Sequence, residues 1–193
     1  SELIRFVDSV KYYSKITNSN GINTSLRFLC SGPPGTGKTK SIRTIINNCF
    51  GHTTIILPEG MINFTTLFSF ATIFPNSLIC IDDIDLIFGD RYQNYSQSNL
   101  IDFLTTMDGL VKNSVFLLAS TNDKELVDSA ARRPGRFDMV LDFKELDRQN
   151  YSDLIKSNTN DKEIINLFDC DTIELFGKKK LPGSFVVNIV KQL

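Results

Sequence analysis

The fold of this chain is decided by the stretch Gly32-Pro33-Pro34-Gly35-Thr36-Gly37-Lys38-Thr39, which fits the phosphate-binding pattern G-x-x-x-x-G-K-[ST] in full. A mostly apolar run at residues 26–30 precedes it and predicts a buried strand. An amphipathic run at residues 41–50 follows it and predicts a helix. This order of strand, loop and helix separates a phosphate site from a turn rich in glycine and proline that holds an incidental lysine.

Each position of the loop has a chemical task. Glycines allow successive backbone N–H groups to turn toward one point and phosphate oxygens to approach closely. The helix that begins near Gly37 adds the positive end of its dipole. Lys38 is placed to reach the β- and γ-phosphates, and the Thr39 hydroxyl can ligate Mg²⁺. The predicted contacts to ATP or ADP are therefore the eight loop residues and the adjacent Lys40.

Composition restricts the class of protein. The 193 residues carry 21 basic and 22 acidic side chains, a net charge of −1, which favours neither nucleic acid nor an acidic membrane surface as a partner. The four widely spaced cysteines are interpreted as small buried hydrophobes in a reducing compartment, not as disulfides or zinc ligands. No signal peptide or bilayer-spanning stretch is present. We expect an intracellular protein, with the cytoplasm favoured and an organelle left open. A start at Ser1 suggests a piece of a longer chain.

Short apolar strands alternate with helical patterns, which predicts an α/β fold with a parallel five-stranded sheet flanked by helices. The predicted strands lie at residues 26–30, 53–57, 78–81, 115–119 and 139–143. Apolar residues at helical spacing predict further helices near the N-terminus and over residues 97–110. Strand signals stop at about residue 147, and three apolar clusters then predict short helices. We expect a nucleotide-binding domain at residues 1–146 and a small helical subdomain at residues 147–193.

A second polar group follows the predicted third strand, where Asp82 and Asp83 end an apolar run. Ligands of open α/β sheets bind at the carboxyl ends of the strands. Asp82 is placed there to hold Mg²⁺, and Asp83 to orient a water molecule for attack on the γ-phosphate. Without the upstream loop, a solvated strand end would be the better interpretation of two such aspartates.

Four motifs downstream of the loop carry a family resemblance. They are Ile81-Asp82-Asp83-Ile84-Asp85, Leu104-Thr105-Thr106-Met107-Asp108-Gly109, Ala119-Ser120-Thr121-Asn122 and Arg132-Arg133-Pro134-Gly135-Arg136-Phe137-Asp138. In order and approximate spacing they resemble the ATPase core of the AAA family, within the AAA+ superfamily of P-loop, RecA-like folds. The resemblance is strong over residues 26–143 and weak in the helical tail.

The resemblance implies Mg²⁺-dependent ATP hydrolysis and assigns further roles. Asn122 resembles the sensor that hydrogen-bonds the γ-phosphate or the attacking water, the alternative being a turn amide. Arg133 and Arg136 resemble arginine fingers that reach the nucleotide of a neighbouring copy, the alternative being a surface ion pair with Asp138 or Asp128. Shared sites imply a homo-oligomeric ring, a hexamer as in the family.

Three features depart from the family pattern. Asp83 stands where the family usually has Glu, so slower hydrolysis is expected. The stretch between residues 53 and 77 is short and lacks an aromatic pore loop; residues 61–64 could replace it, although Phe64, Leu67, Phe68 and Phe70 are interpreted as helix core. Gly183 and Ser184 replace a Gly-Ala pair and are small enough to pack against the nucleotide base or sugar. The short lid is expected to be incomplete.

Two functions from different classes remain at this stage. The leading hypothesis is an oligomeric ATP-driven motor that remodels a protein substrate, which the sequence does not name. The alternative is a nucleotide-dependent assembly or scaffold module with weak hydrolysis, favoured by Asp83 and by the missing pore motif. A clamp-loader-like ATPase that acts on DNA is disfavoured by the neutral charge.

Overall fold

The computed structural model describes part of the chain, namely residues 7–8, 11–12, 26–48, 55–56, 63–74, 77–88, 101–107, 115–123 and 136–193. The chain divides into two compact units. Unit 1 comprises residues 1–31 and 39–142, and unit 2 comprises residues 32–38 and 143–193. The predicted division at residue 146 stays a prediction. No helix among the described residues is long and apolar enough to cross a membrane.

Unit 1 is built on a five-stranded sheet in the order β2-β3-β4-β1-β5, in which all four pairings are parallel. The strands are β1 (Arg27–Ser31), β2 (Ile55–Ile56), β3 (Ser77–Ile81), β4 (Val115–Thr121) and β5 (Met139–Asp142). Every residue of β1, β3 and β4 is buried, as expected for inner strands of a parallel sheet covered on both faces. The predicted α/β fold with a parallel five-stranded sheet is confirmed.

Four helices of unit 1 lie between its strands in the described part of the chain. They are α1 (Lys38–Asn48), α2 (Phe64–Ala71), α3 (Ile84–Phe88) and α4 (residues 101–107); α1 takes its first residue from unit 2. Residues 7–8 and 11–12 are also helical, where an N-terminal helix was predicted. The ends of the helix predicted over residues 97–110 lie outside the described residues.

The main core of unit 1 packs α2 and α4 against the inner strands. Phe64 and Phe68 of α2 are fully buried, and the Phe64 ring meets the Phe103 ring of α4 edge-on with centroids 4.9 Å apart. The prediction that Phe70 also belongs to the core is wrong, because its side chain is 50% exposed and packs against Phe74. Two residues turn a helix by about 200°, so Phe70 points away from the face that Phe68 buries.

Unit 2 contains four helices in its described residues: α5 (Arg148–Asn158), α6 (Lys162–Leu167), α7 (Cys170–Lys178) and α8 (Gly183–Gln192). Asp147, Asp161 and Asp169 cap the first three, each accepting a backbone N–H of the first turn. Helix α7 was not predicted, because its large apolar residues, Ile173, Leu175 and Phe176, span only four positions. Tyr151, Ile155, Phe176 and Val186 form the centre of the core.

The cysteine prediction is confirmed in part. Cys30 and Cys80 are buried in β1 and β3, as expected of small hydrophobes in apolar strands. Cys170 is exposed at the start of α7, so the prediction of burial is wrong there. Cys49 lies outside the described residues.

Two side chains accept hydrogen bonds at the start of helix α2. Asn63 accepts the N–H of Thr66 at 2.8 Å, and Asp102 of α4 accepts both the N–H of Phe64 at 3.1 Å and the Thr65 hydroxyl at 2.8 Å. The first N–H groups of a helix have no partner within the helix, so such acceptors stabilise its start. Asp102 therefore ties the start of α2 to α4.

We predict that Asp102→Ala lowers the free energy of unfolding by about 1 kcal/mol, because the start of α2 loses an acceptor. Asp102→Asn keeps a side-chain oxygen on a stem of the same length and should lose less. Urea unfolding followed by circular dichroism measures both. An alanine variant that unfolds at the wild-type urea concentration would show that this cap contributes nothing.

Candidate active site

The phosphate loop adopts a backbone that glycine is suited to provide. Gly32, Gly35 and Gly37 have φ values of 151°, 74° and 100°, in the region that side-chain-bearing residues rarely enter. A Cβ added to Gly32 would lie 2.2 Å from the carbonyl oxygen of Phe143, so space as well as conformation requires glycine there. The glycines named in the sequence pattern therefore have a direct structural reason.

The lysine of the loop is held by the loop itself. Lys38 Nζ donates to the carbonyl oxygens of Gly32 and Pro33, each at 2.8 Å, and only 5% of the residue is exposed. The Thr36 hydroxyl also donates to the Pro33 carbonyl at 2.8 Å. These two hydrogen bonds orient the ammonium group. A positioned, nearly buried cation is what an anionic phosphate requires.

Helix α1 begins at Lys38 and extends for 11 residues, with no acidic side chain in its first turn. Its N-terminal N–H groups and dipole favour an anion at this end. Thr39 and Lys40 follow in the first turn and are exposed. Both predicted contacts are therefore at the surface of the helix start.

A further contact joins the loop to α8 within unit 2. The N–H of Gly183 donates to the carbonyl oxygen of Gly35 at 3.0 Å. The residue before α8, Pro182, makes no side-chain cap, so the loop carbonyl gives the first N–H of α8 its acceptor. A Cβ on Gly35 would lie 2.4 Å from Pro182 Cβ and 3.4 Å from Ser184 Oγ. The predicted Gly183 and Ser184 thus lie against the phosphate loop.

Tyr151 holds the segment that leads into this contact. Its hydroxyl donates to the Leu181 carbonyl at 2.7 Å, and its ring packs edge-on against Phe176. Burial raises the pKa of Tyr151 above its ordinary value, and the negative charge of Glu145 adds to the rise. The phenol therefore stays a hydrogen-bond donor at neutral pH.

Unit 1 contributes a second group of polar residues, here called the carboxylate cluster: Asp82, Asp83, Asp85, Ser120 and Asn122. The parallel pairing of β3 with β4 places Ile81 opposite Ala119, so the residues that follow each strand lie at the same edge. The Ser120 hydroxyl donates to Asp82 Oδ1 and accepts the N–H of Asp83 at 2.8 Å. This edge is where α/β sheets bind ligands.

Asn122 supplies two further hydrogen bonds of the cluster. Its Nδ2 donates to Asp83 Oδ1 at 3.0 Å, and its backbone N–H donates to Asp85 Oδ1 at 3.0 Å. The amide therefore holds the side chain of Asp83, while Asp85 holds the end of β4. Asp82 is exposed, whereas Asp83 and Asn122 are half-buried.

Asp83 has a left-handed backbone with φ of 48°. Such a conformation in a residue other than glycine costs on the order of 1–3 kcal/mol and is maintained by its surroundings. Aspartate tolerates it better than most residues. The conformation turns the chain from the end of β3 directly into α3, which begins at Ile84.

The donor set of unit 1 fits Mg²⁺. Asp82 presents an exposed carboxylate and Thr39 an exposed hydroxyl, both hard oxygen donors. No group of three His, Cys, Asp or Glu residues that could hold a metal occurs in the described parts of the chain. Mg²⁺ is commonly bound by one or two carboxylates together with substrate phosphates and water. These donors therefore suit an ion that arrives with a nucleotide.

The two predicted arginine fingers differ in what the structure describes. Arg133 lies outside the described residues. Arg136 is 8% exposed, and its carbonyl oxygen accepts Arg27 Nη1 at 3.3 Å. Asp138, the partner in the alternative interpretation, accepts the backbone N–H of Arg27 at 2.8 Å. Arg136 thus lies close to the start of β1.

The sequence did not indicate that Ser120 belongs to the site, nor that Asp85 accepts the N–H of Asn122. The available signal was the polar pair Ser120-Thr121 that follows five apolar residues and precedes Asn122. It could be interpreted only once β4 was known to pair with β3.

Comparison with known proteins adds to this geometry. The family model described as "ATPase family associated with various cellular activities (AAA)" matches residues 28–145, well over half of the chain. The chain belongs to the AAA family of ATPases. The family description agrees with the predicted ATP hydrolysis, and the resemblance inferred from the motifs is confirmed.

Three curated relatives illustrate the similarity of this AAA ATPase. "Protein SAV" of Sulfolobus acidocaldarius is 31% identical over 79% of the chain and 21% of its own length. The "Mitochondrial inner membrane i-AAA protease supercomplex subunit YME1" of Saccharomyces cerevisiae is 29% identical over 100% of the chain and 27% of its own length. The "Proteasome-activating nucleotidase" of Methanospirillum hungatei is 31% identical over 72% of the chain and 38% of its own length. The chain thus spans well under half of each relative.

We predict that Gly35→Ala weakens ATP binding at least about tenfold, because the new Cβ would meet Pro182 at 2.4 Å and strain a backbone with φ of 74°. Gly177→Ala is the matched control, since a Cβ there meets nothing within 4 Å and lies inside α7. It should bind ATP normally and gain up to about 1 kcal/mol of stability.

Calorimetric titration with ATP and Mg²⁺ measures both variants, with Lys38→Ala as the reference for a loop that has lost its ammonium group. Circular dichroism checks that each variant is folded. A folded Gly35→Ala variant with wild-type affinity would show that the approach of α8 to the loop does not affect nucleotide binding.

Proposed function

We propose that this AAA ATPase is an oligomeric motor module that remodels a protein substrate and whose nucleotide sites are completed by a neighbouring copy. The observation that carries the hydrolytic part is the hydrogen-bonded carboxylate cluster, which holds an acid, Asp83, and a sensor amide, Asn122, 3.0 Å apart. The motor part is supported by relatives whose names refer to a protease and to the proteasome.

In this proposal each group of residues has a distinct task. The N–H groups of residues 32–39 and the Lys38 ammonium bind the β- and γ-phosphates. Thr39 and Asp82 hold Mg²⁺, which when bound neutralises charge on the phosphate oxygens. Asp83 orients the attacking water and accepts its proton. Asn122 fixes the rotation of the Asp83 carboxylate and senses the γ-phosphate.

The contact between Gly35 and Gly183 gives the helical part of the chain a mechanical role. A phosphate that enters the loop interacts with the same backbone whose carbonyl caps α8. We infer that nucleotide exchange and hydrolysis move α8 by changing the position of Gly35. Helix α8 also packs on α5 through its buried face, so the helices of unit 2 would respond together.

The alternative function is a nucleotide-dependent scaffold with weak hydrolysis. Two observations favour it. Asp83 has a shorter side chain than the Glu of the family pattern, and its position depends on a left-handed backbone. Phe64 is fully buried, so it does not serve as an exposed pore aromatic. Cys30 and Cys80 are buried within strands, as expected of small hydrophobic side chains, and we propose a reducing compartment, with the cytoplasm favoured, as the location.

We predict that Asp83→Asn retains ATP binding but lowers the turnover number at least about hundredfold, because the amide keeps the shape of the side chain but cannot accept a proton. Asp153→Asn, an exposed aspartate on α5, is the matched control and should hydrolyse ATP normally. Phosphate release in the steady state measures turnover, and calorimetry measures binding. Turnover that survives in the Asp83 variant would move the catalytic role to another residue.

We predict that Arg136 acts on the nucleotide of a neighbouring copy. Arg136→Ala should bind ATP but hydrolyse it poorly, and mixing it with Asp83→Asn should restore part of the activity, because one mixed interface contains both intact residues. Arg148→Ala, an exposed arginine on α5, is the control. Fluorescently labelled copies must be shown to exchange, and melting temperatures must show that loss of the nearly buried Arg136 leaves the fold intact.

The dependence of turnover on protein concentration tests the ring directly. Turnover per copy should rise as copies associate and then reach a plateau, in step with the mass measured by light scattering. A chain that hydrolyses ATP at the same rate while it remains a monomer would exclude the shared site. If ATP makes the copies associate strongly but is hydrolysed at a negligible rate, the scaffold function is favoured.

A further inference from the structure

We propose that Ser120 is a positioning residue of the hydrolytic centre, which sets the Asp82 carboxylate for the metal ion and holds Asp83 in the backbone conformation from which it acts. This inference rests on the roles proposed above for Asp82 and Asp83. Ser120 lies in the motif Ala119-Ser120-Thr121-Asn122, but only Asn122 of that motif received a role from the sequence.

The contacts of Ser120 use its hydroxyl in both directions. The group has one proton to donate and two lone pairs to accept with. It donates to Asp82 Oδ1 and accepts the N–H of Asp83 at 2.8 Å. One side chain thus contacts two consecutive residues with different tasks, and it is itself fully buried.

The sheet explains why a side chain is needed at this point. Strand β3 ends at Ile81, whereas β4 continues to Thr121 and remains paired with β1, Ser120 opposite Cys30 and Thr121 opposite Ser31. Asp82 and Asp83 therefore lie past the last paired residue of β3 but still beside β4. The Ser120 hydroxyl continues the hydrogen bonding between the two strands after their backbone ladder ends.

The left-handed backbone of Asp83 makes this support specific. Its N–H is fixed by Ser120, and its carboxylate is fixed by Asn122 two residues later. Strand β4 thus holds both the main chain and the side chain of the acid. Asp has one rotatable side-chain bond fewer than Glu, so its carboxylate can compensate less for a change in backbone conformation. The position of the Asp83 carboxylate therefore depends on the backbone conformation that Ser120 maintains.

Three substitutions separate positioning from mere packing. Ser120→Ala removes the hydroxyl and leaves the rest of the side chain. Ser120→Thr and Ser120→Val have nearly the same shape and add the same branched bulk to the buried site, but only the threonine keeps the hydroxyl. Any cost of the added methyl group is common to the latter pair, so their difference reports the hydroxyl alone.

Two readouts are measured on the full chain. The first is the affinity for ATP with Mg²⁺ divided by the affinity for ATP with a chelator, both by calorimetry. The second is the turnover number and the KM for ATP in saturating Mg²⁺. We expect Ser120→Ala to reduce the affinity ratio about tenfold and the turnover number at least about tenfold, while KM stays nearly unchanged. The reason is that the Asp82 carboxylate and the Asp83 N–H each lose a hydrogen-bond partner. Ser120→Thr should exceed Ser120→Val in both quantities.

Equal values for the threonine and valine variants, or an alanine variant with a wild-type affinity ratio and turnover, would overturn the proposal. The variants Asp82→Asn and Asp83→Asn distinguish a failure of the role of Ser120 from a failure of the proposed function of the cluster. If they impair the chain while the Ser120 variants do not, only the role of Ser120 is wrong. If they also leave hydrolysis unchanged, the proposed hydrolytic function of the cluster is wrong as well.

Discussion

The parallel pairing of β3 with β4 is the constraint on which the carboxylate cluster, and with it the proposed hydrolytic function, depends. With Ile81 opposite Ala119, two acids at the end of one strand meet a hydroxyl and an amide at the end of the other. A register shift of one residue would reverse the faces of every side chain along the strand and separate these groups. Because both strands are buried along their whole length, such a shift would also disrupt the packing on both faces of the sheet. The hydrophobic effect therefore sets the geometry of a polar site.

The phosphate loop depends on a different constraint, which is the space available around its backbone. Gly32 and Gly35 each approach another segment of unit 2 more closely than any side chain would allow, one at Phe143 and the other at Pro182. Residues that are usually explained by the needs of a phosphate ligand are thus also required by the protein's own packing. The carbonyl of Gly35 also accepts the first N–H of α8, so the same loop takes part in the packing of the helical unit.

Asp83 shows how a change in one residue can be absorbed by its surroundings. A carboxylate one methylene shorter than Glu has less reach, so the position of its oxygens depends more on the backbone. The positive φ, the bond from its N–H to Ser120 and the bond from Asn122 together provide that placement. Asp85 adds a second connection, from the start of α3 to the end of β4. The result is a cross-strand network in which every described member has a partner at the same edge of the sheet.

The sequence by itself determined the class of fold and predicted the phosphate loop and the two acids, because hydrophobic periodicity and turn chemistry are properties of neighbouring residues. It was less reliable where a pattern was short, as in α7, or where a helix had two apolar faces, as at Phe70. Only the tertiary structure decided that Ser120 contacts Asp82 across 38 positions of sequence, and that Gly183 caps its helix on Gly35. The physical reason is that such contacts depend on which strands and loops become neighbours, and that choice is made by burial of the whole core and not by the residues that happen to meet.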